Sequence, residues 1–111
     1  MWMCAALFLP ATPAIAKRSA PEPVRPIVAG NIEYSSPGWP IGFIIATDTR
    51  TRREIWRKRI YRVKIDPALE RDVQDVFITS LALEHGNLLI ADERGRRYAL
   101  DLTTHKVTRL P

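Results

Sequence analysis

VFITSLALEHGNLLIADERGRRYALDLTTHKVTRL, residues Val76 to Leu110, is the stretch whose reading decides the fold. Three apolar runs alternate in it with two short turns, and a fourth run closes the chain. In the first run Phe77, Leu81 and Leu83 fall on one face at period two with Thr79 between them, while Val76, Ile78 and Ala82 share the other face with Ser80. Apolar residues on both faces predict a strand in the middle of a sheet. Glu84-His85-Gly86-Asn87 is a hairpin turn, since Gly and Asn both tolerate positive φ. Leu88 to Ala91 returns, and Asp92-Glu93-Arg94-Gly95 turns again, with Gly95 in the left-handed slot of a type I turn plus bulge. Arg96 to Leu102 sets Tyr98, Leu100 and Leu102 against Arg97 and Asp101, and Thr103-Thr104-His105 leads into a last short strand, Lys106 to Leu110. The stretch is a β-meander.

Upstream the same period continues. Ile27 to Tyr34 predicts a first strand with Ile32 and Tyr34 on one face. Ser35 to Pro40 is a loop, in which Trp39 either plugs the structure or stands out as an aromatic contact. Gly42 to Thr47 is a strand, Asp48 to Arg53 its turn, and Glu54 to Ile65 a long basic run. Tyr61, Val63 and Ile65 share a face and Trp56 is out of phase with them. Either a bulge sits near Arg57-Lys58-Arg59 or Trp56 covers the opposite face. Asp66 as N-cap, Pro67 at the first helical position and Glu70 in the first turn predict a short helix, whose Ala68, Leu69 and Val73 dock on the sheet. The expected fold is mainly β, a single small antiparallel, blade-like sheet of five to seven strands with one short helix closing an end.

The first 16 residues read as an export signal. Trp2 to Leu9 is apolar, Pro10 to Pro13 breaks the run, and Ala14-Ile15-Ala16 is a small-x-small cleavage site before Lys17. The run is well short of the ~20 apolar residues that span a bilayer. No Lys or Arg precedes it, so either the true start lies upstream or this start is unusual. The one cysteine, Cys4, falls inside the signal and leaves the exported part without a disulfide. Residues 17–26, with Pro21, Pro23 and Pro26, form an extended leader, and the β domain occupies 27–111. With 17 Lys and Arg against 12 Asp and Glu, the net charge is +5. Such a surface favours anionic partners without naming one.

An internal repeat accompanies the meander. Ala46-x-Asp48-x-x-Thr51 recurs as Ala99-x-Asp101-x-x-Thr104, each copy ending a strand and opening a turn. A short acceptor such as Asp48 can bond the amides of its own turn, and Thr51 can do the same. Ala46, Asp48, Thr51 and Trp56 together match A-x-D-x-x-T-G-x-x-x-W. This resembles the tryptophan-docking repeat of quinoprotein-type β-propellers, which include pyrroloquinoline quinone dehydrogenases and outer-membrane assembly lipoproteins. The resemblance covers roughly Phe43 to Val107 and implies that Asp48 and Thr51 close the turn while Trp56 packs between blades. Arg52 and His105 stand where the motif has Gly, and Arg109 stands at the second tryptophan position. The resemblance carries over no catalytic residue and no ligand for the quinone or its calcium.

Other constellations are weaker. Arg50, Arg52, Arg53, Arg57, Lys58, Arg59, Arg62 and Lys64, interleaved with Trp56 and Tyr61, suit a nucleic-acid platform, an anionic envelope component, or a solvated strand edge protected by charge. Export argues against nucleic acid. Asp66, Glu70, Asp72 and Asp75 lack the regular spacing of a calcium loop. His85 and His105 sit in turns with no third metal ligand and no nucleophile elbow nearby, and Ser80 lies mid-strand.

The expectation is therefore a periplasmic or secreted, non-enzymatic interaction module with no cofactor, metal or catalytic residue. Its candidate surface is Trp39, Arg50, Arg53, Arg57, Arg59 and Arg62. The expected partner is another envelope protein or an anionic envelope component, not nucleic acid, and assembly into an oligomer stays open. The alternative is an accessory subunit whose enzyme site forms only in a complex.

Overall fold

A computed structural model of the chain describes residues 23–64, 66–69 and 74–111. The segment 1–16 read as an export signal, most of the leader 17–26, and Ile65, Glu70 and Asp72 lie outside the described residues.

Among the described residues, eight strands form two four-stranded antiparallel sheets, each a plain meander with neighbours in chain order. Sheet 1 holds β1 (Ile27–Ala29), β2 (Ile32–Ser35), β3 (Phe43–Asp48) and β4 (Glu54–Arg59). Sheet 2 holds β5 (Ile78–Glu84), β6 (Asn87–Asp92), β7 (Arg97–Asp101) and β8 (Val107–Arg109). The antiparallel β character expected from the sequence is present. The single sheet of five to seven strands is not, and the difference has local causes.

Ile27 to Tyr34 is two strands because Gly30 adopts φ 62°, so Gly30-Asn31 reverses the chain and pairs Ala29 with Ile32. Among the described residues between Arg59 and Ile78 no strand crosses from one sheet to the other. Asp66 does open a turn, its Oδ1 accepting the Ala68 amide at 2.9 Å and its carbonyl accepting the Leu69 amide at 3.0 Å. The described residues contain no helix, and 70–73 of the expected one lie outside them.

Two bulges account for the phase puzzles. Ala46 pairs with Trp56 and Thr47 with Glu54, leaving Ile55 as the extra residue on β4. The shift therefore lies one residue before Trp56 rather than in Arg57-Lys58-Arg59, and β4 ends at Arg59, so Tyr61 belongs to a different segment. On β5, Ile78 pairs with Asp92 and Ser80 with Ala91, which makes Thr79 the extra residue. Apolar residues on both faces of Val76 to Leu83 thus reflect a phase reset. β5 is an edge strand, not a central one.

One core joins the sheets. Tyr34, Ile44 and Ala46 from sheet 1, and Ile60 just beyond it, meet Ile78, Leu88, Ile90, Tyr98 and Leu100 from sheet 2. Ile44, Leu88, Ile90 and Leu100 are fully buried, and each such side chain stabilises the fold by about 1.5–3 kcal/mol.

The Asp48 and Asp101 turns make the same set of bonds. Asp48 Oδ1 accepts the amides of Arg50 (2.7 Å) and Thr51 (3.2 Å), and Thr51 Oγ1 accepts that of Arg53 (3.3 Å). Asp101 Oδ1 accepts Thr103 (2.8 Å) and Thr104 (3.0 Å), and Thr104 Oγ1 accepts Lys106 (3.2 Å). The main chain closes both turns identically: the amides of Arg52 and His105 donate to the Asp48 and Asp101 carbonyls at 2.8 and 2.7 Å. Even the link to the neighbouring hairpin recurs, from the Thr49 amide to the Asn31 carbonyl and from the Leu102 amide to the Gly86 carbonyl. Strands β1 to β4 therefore correspond to β5 to β8.

Candidate interaction groove

At the end of sheet 1 away from the Asp48 turn, β3 begins and β4 stops. The chain leaving β4 folds back there: the Ile60 amide donates to the Gly42 carbonyl at 2.6 Å. Gly42 has φ 83°, and a Cβ on it would stand 2.6 Å from the Tyr61 carbonyl oxygen. Only glycine fits that crossing. Tyr61 is thereby pinned. Its hydroxyl donates to the Val76 carbonyl at 2.5 Å, and its ring stacks on Tyr98 at 5.5 Å between centroids, 21° from parallel.

Beside Tyr61 an open groove of ≈ 250 Å³ is lined by Trp39, Phe43, Arg59, Arg62 and Asp75 among others. Trp39, on one side of it, precedes a cis peptide bond to Pro40 and is 64% exposed. Arg59 lies with its guanidinium 5.0 Å from the centroid of the Phe43 ring. That placement comes from register, since Phe43 pairs with Arg59 across the two strands and both point away from the core. Among the described residues, neither Arg59 nor Arg62 takes part in an ion pair. Burial, and next the charge of Asp92, push the Tyr61 phenol far above its usual value, so it stays neutral at the groove floor. The site offers two cations, three aromatic rings and the Asp75 carboxylate around one opening.

The structure divides the basic residues expected to act together. Arg59 and Arg62 join Trp39 at the groove. Arg50 and Arg53 lie exposed in the Asp48 turn, at the far end of the hairpin, roughly 17 Å away along a six-residue strand. Arg57, between them, is held by Glu54 through two bonds of 2.9 and 2.7 Å. This pairing lowers the Glu54 carboxyl and raises the Arg57 guanidinium. Trp56 turns inward, its ring 6.0 Å from Tyr34 and 4.4 Å from His105, with Ala46 as its cross-strand partner. Asp48, Thr51, Asp101 and Thr104 close their turns, and Ala99 sits opposite Thr108 rather than Arg109, because β8 lacks the bulge of β4.

Phe43 and Asp75 escape a sequence reading of the groove, and Tyr61 is marked there only as an aromatic among the basic residues. Gly42 before Phe43 is the signal that a close crossing occurs there, but nothing local says which segment crosses. His85 stands exposed at a hairpin tip, and among the described residues no three His, Cys, Asp or Glu side chains are grouped to hold a metal. No helix among the described residues is long and apolar enough to cross a membrane. The chain matches no protein-family model and no curated protein.

Proposed function

We propose that the protein is an exported, non-enzymatic interaction module of the cell envelope, and that it binds its partner in the groove between Trp39 and Arg62. The single observation that carries this reading is the convergence of Trp39, Arg59 and Arg62 around Phe43 and Tyr61 on one open wall. An exposed tryptophan beside two guanidiniums suits a partner presenting an acidic group next to an apolar one, whether on another envelope protein or on an anionic envelope component. Both histidines have other occupations, His85 at a hairpin tip and His105 under the Trp56 ring, which supports a binding rather than a catalytic role. In the same reading the two sheets are a pair of blades of the quinoprotein-type repeat, with Trp56 docked across the boundary between them. Its support is the matched pair of Asp–Thr turns.

Capture from an envelope extract, with wild-type chain and with an Arg59→Glu/Arg62→Glu variant, tests the groove. The wild type is expected to retain a partner that the variant loses, with a matching change in Trp39 fluorescence on titration. Identical capture by both chains would sink the assignment.

A further inference from the structure

The two sheets meet through faces that do not correspond to one another. In sheet 1, Tyr34, Ala46 and Trp56 lie in one cross-strand row and face the core. The matching row of sheet 2 is Leu89, Ala99 and Thr108, and it lies on the side turned away from the core. Sheet 2 instead gives the core Leu88, Ile90, Tyr98 and Leu100. Their counterparts by register, Glu33, Ser35, Ile45 and Thr47, lie on the outward side of sheet 1. The contact inside the chain is therefore front to back. Among the described residues two halves of that same contact remain unused, one on each outer side.

We propose that a second copy of this chain occupies them, the outward face of sheet 1 in one copy seating on the outward face of sheet 2 in the next. The new boundary repeats the register of the one already formed within each chain, with Glu33, Ser35 and Thr47 in place of Leu88, Ile90 and Leu100. Ile45 stands where Tyr98 stands in the internal boundary. Charge on the outermost strand is no obstacle, because Arg57 lies opposite Ile45 as Arg109 lies opposite Tyr98. On the receiving side a groove of ≈ 120 Å³, lined by Ala82, Leu89, Ala91 and Leu110 among others, stands open for side chains from the incoming face. A contact of two different faces propagates until rotation closes it into a ring. Radial arrays of four-stranded sheets close with about 4–8 sheets, so two sheets per chain give roughly two to four copies. Phe43 and Arg59 share the outward face of sheet 1 with Ile45, so the second copy borders the Trp39 groove, whereas Ala99, on sheet 2, lies apart from it.

Sedimentation velocity on the full chain, on Ile45→Arg and on Ala99→Arg tests it, with circular dichroism to show that each variant is folded. Wild type is expected as one discrete oligomer and each variant alone as a monomer. An equimolar mixture of the two variants is expected to form a dimer, because each retains the face the other lacks. If either variant misfolds, Val28→Glu and Thr108→Glu, at exposed positions on the same two faces, replace the pair. A wild-type monomer at the highest soluble concentration, an oligomer indifferent to both substitutions, or a mixture that stays monomeric would each overturn the proposal.

Discussion

The indole of Trp56 lies 4.4 Å from the imidazole of His105, centroid to centroid and tilted by 41°. One residue comes from sheet 1 and the other from the last turn of sheet 2, so this pair fastens the two halves of the repeat. His105 also holds φ 64°, the left-handed conformation that its turn demands. Two requirements meet in one side chain: the turn favours glycine, and the sheet boundary favours a ring.

Removing the indole should show this. Trp56→Ala is expected to cost about 3 kcal/mol, the usual range for a packed tryptophan. A double-mutant cycle with His105→Ala should return a coupling of about 1 kcal/mol between the rings. Additive effects in urea unfolding would mean that the contact contributes nothing of its own.

Arg52 is the counterpart of His105, with φ 61°, but its side chain bonds Glu33 at 3.0 Å on the open surface. Glycine relieves about 1–2 kcal/mol of left-handed strain at either position, and returns about 0.4–1 kcal/mol through a freer unfolded chain. The exposed ion pair is worth little. Arg52→Gly should therefore be neutral or mildly stabilising, while His105→Gly should be at least about 1 kcal/mol worse than it because the ring contact is lost. Equal melting temperatures for the two variants would contradict the division of roles.

Acid stability follows from the same turns. The backbone amides of Arg50 and Thr51 hold the Asp48 carboxyl below its usual value, and those of Thr104 and Thr103 do so for Asp101. A carboxyl depressed in the folded state stabilises above its unfolded value, near pH 4, and that contribution is lost as pH falls through the folded value. Thermal melts from pH 7 down to 2 should drop below about pH 4. Asp48→Asn/Asp101→Asn keeps an acceptor oxygen in each turn and should flatten that drop. An unchanged pH slope in the double variant would assign the acid sensitivity elsewhere.

At the alkaline end the sign reverses. Tyr34, Tyr61 and Tyr98 are the chain's 3 tyrosines, and burial raises the phenol of each, with Asp92 adding to Tyr61 and Tyr98. A raised phenol contributes stability that is complete below the unfolded value, about 10, and is lost as pH climbs through the folded one. Phenolate absorbance should therefore appear late and together with loss of β-sheet dichroism. Titration of any tyrosine near pH 10 with the fold intact would refute this.

Gly42 makes a sharper steric test. Gly42→Ala adds left-handed strain at φ 83° and a Cβ against a main-chain oxygen, so a loss of more than about 2 kcal/mol is expected. Gly38→Ala meets no atom within 4 Å and should be nearly silent. If both melt alike, the chain does not cross at Gly42 as described.

The strands of sheet 2 were legible in the sequence because they are set by nearest neighbours. Alternation places Tyr98 and Leu100 on one side, Gly86 and Gly95 accept positive φ, and an aspartate followed by threonine three residues on closes a turn with its own amides. The groove was legible only in part. Trp39, Arg59 and Arg62 were marked by type, yet Arg50 and Arg53, equally basic, lie at the other end of the hairpin.

What the sequence alone determined is this local grammar: antiparallel strands, their turns, and the paired Asp–Thr closures at Asp48 and Asp101. What the tertiary structure decided is phase and partnership. A single extra residue at Ile55 or Thr79 inverts every side chain beyond it, and alternation cannot report such a slip until a neighbouring strand fixes the register. Whether one sheet or two should form, and that Trp56 should end on His105 rather than in solvent, depends on faces of similar apolarity finding each other across some fifty residues of chain. That choice is made by burial, which no local pattern encodes.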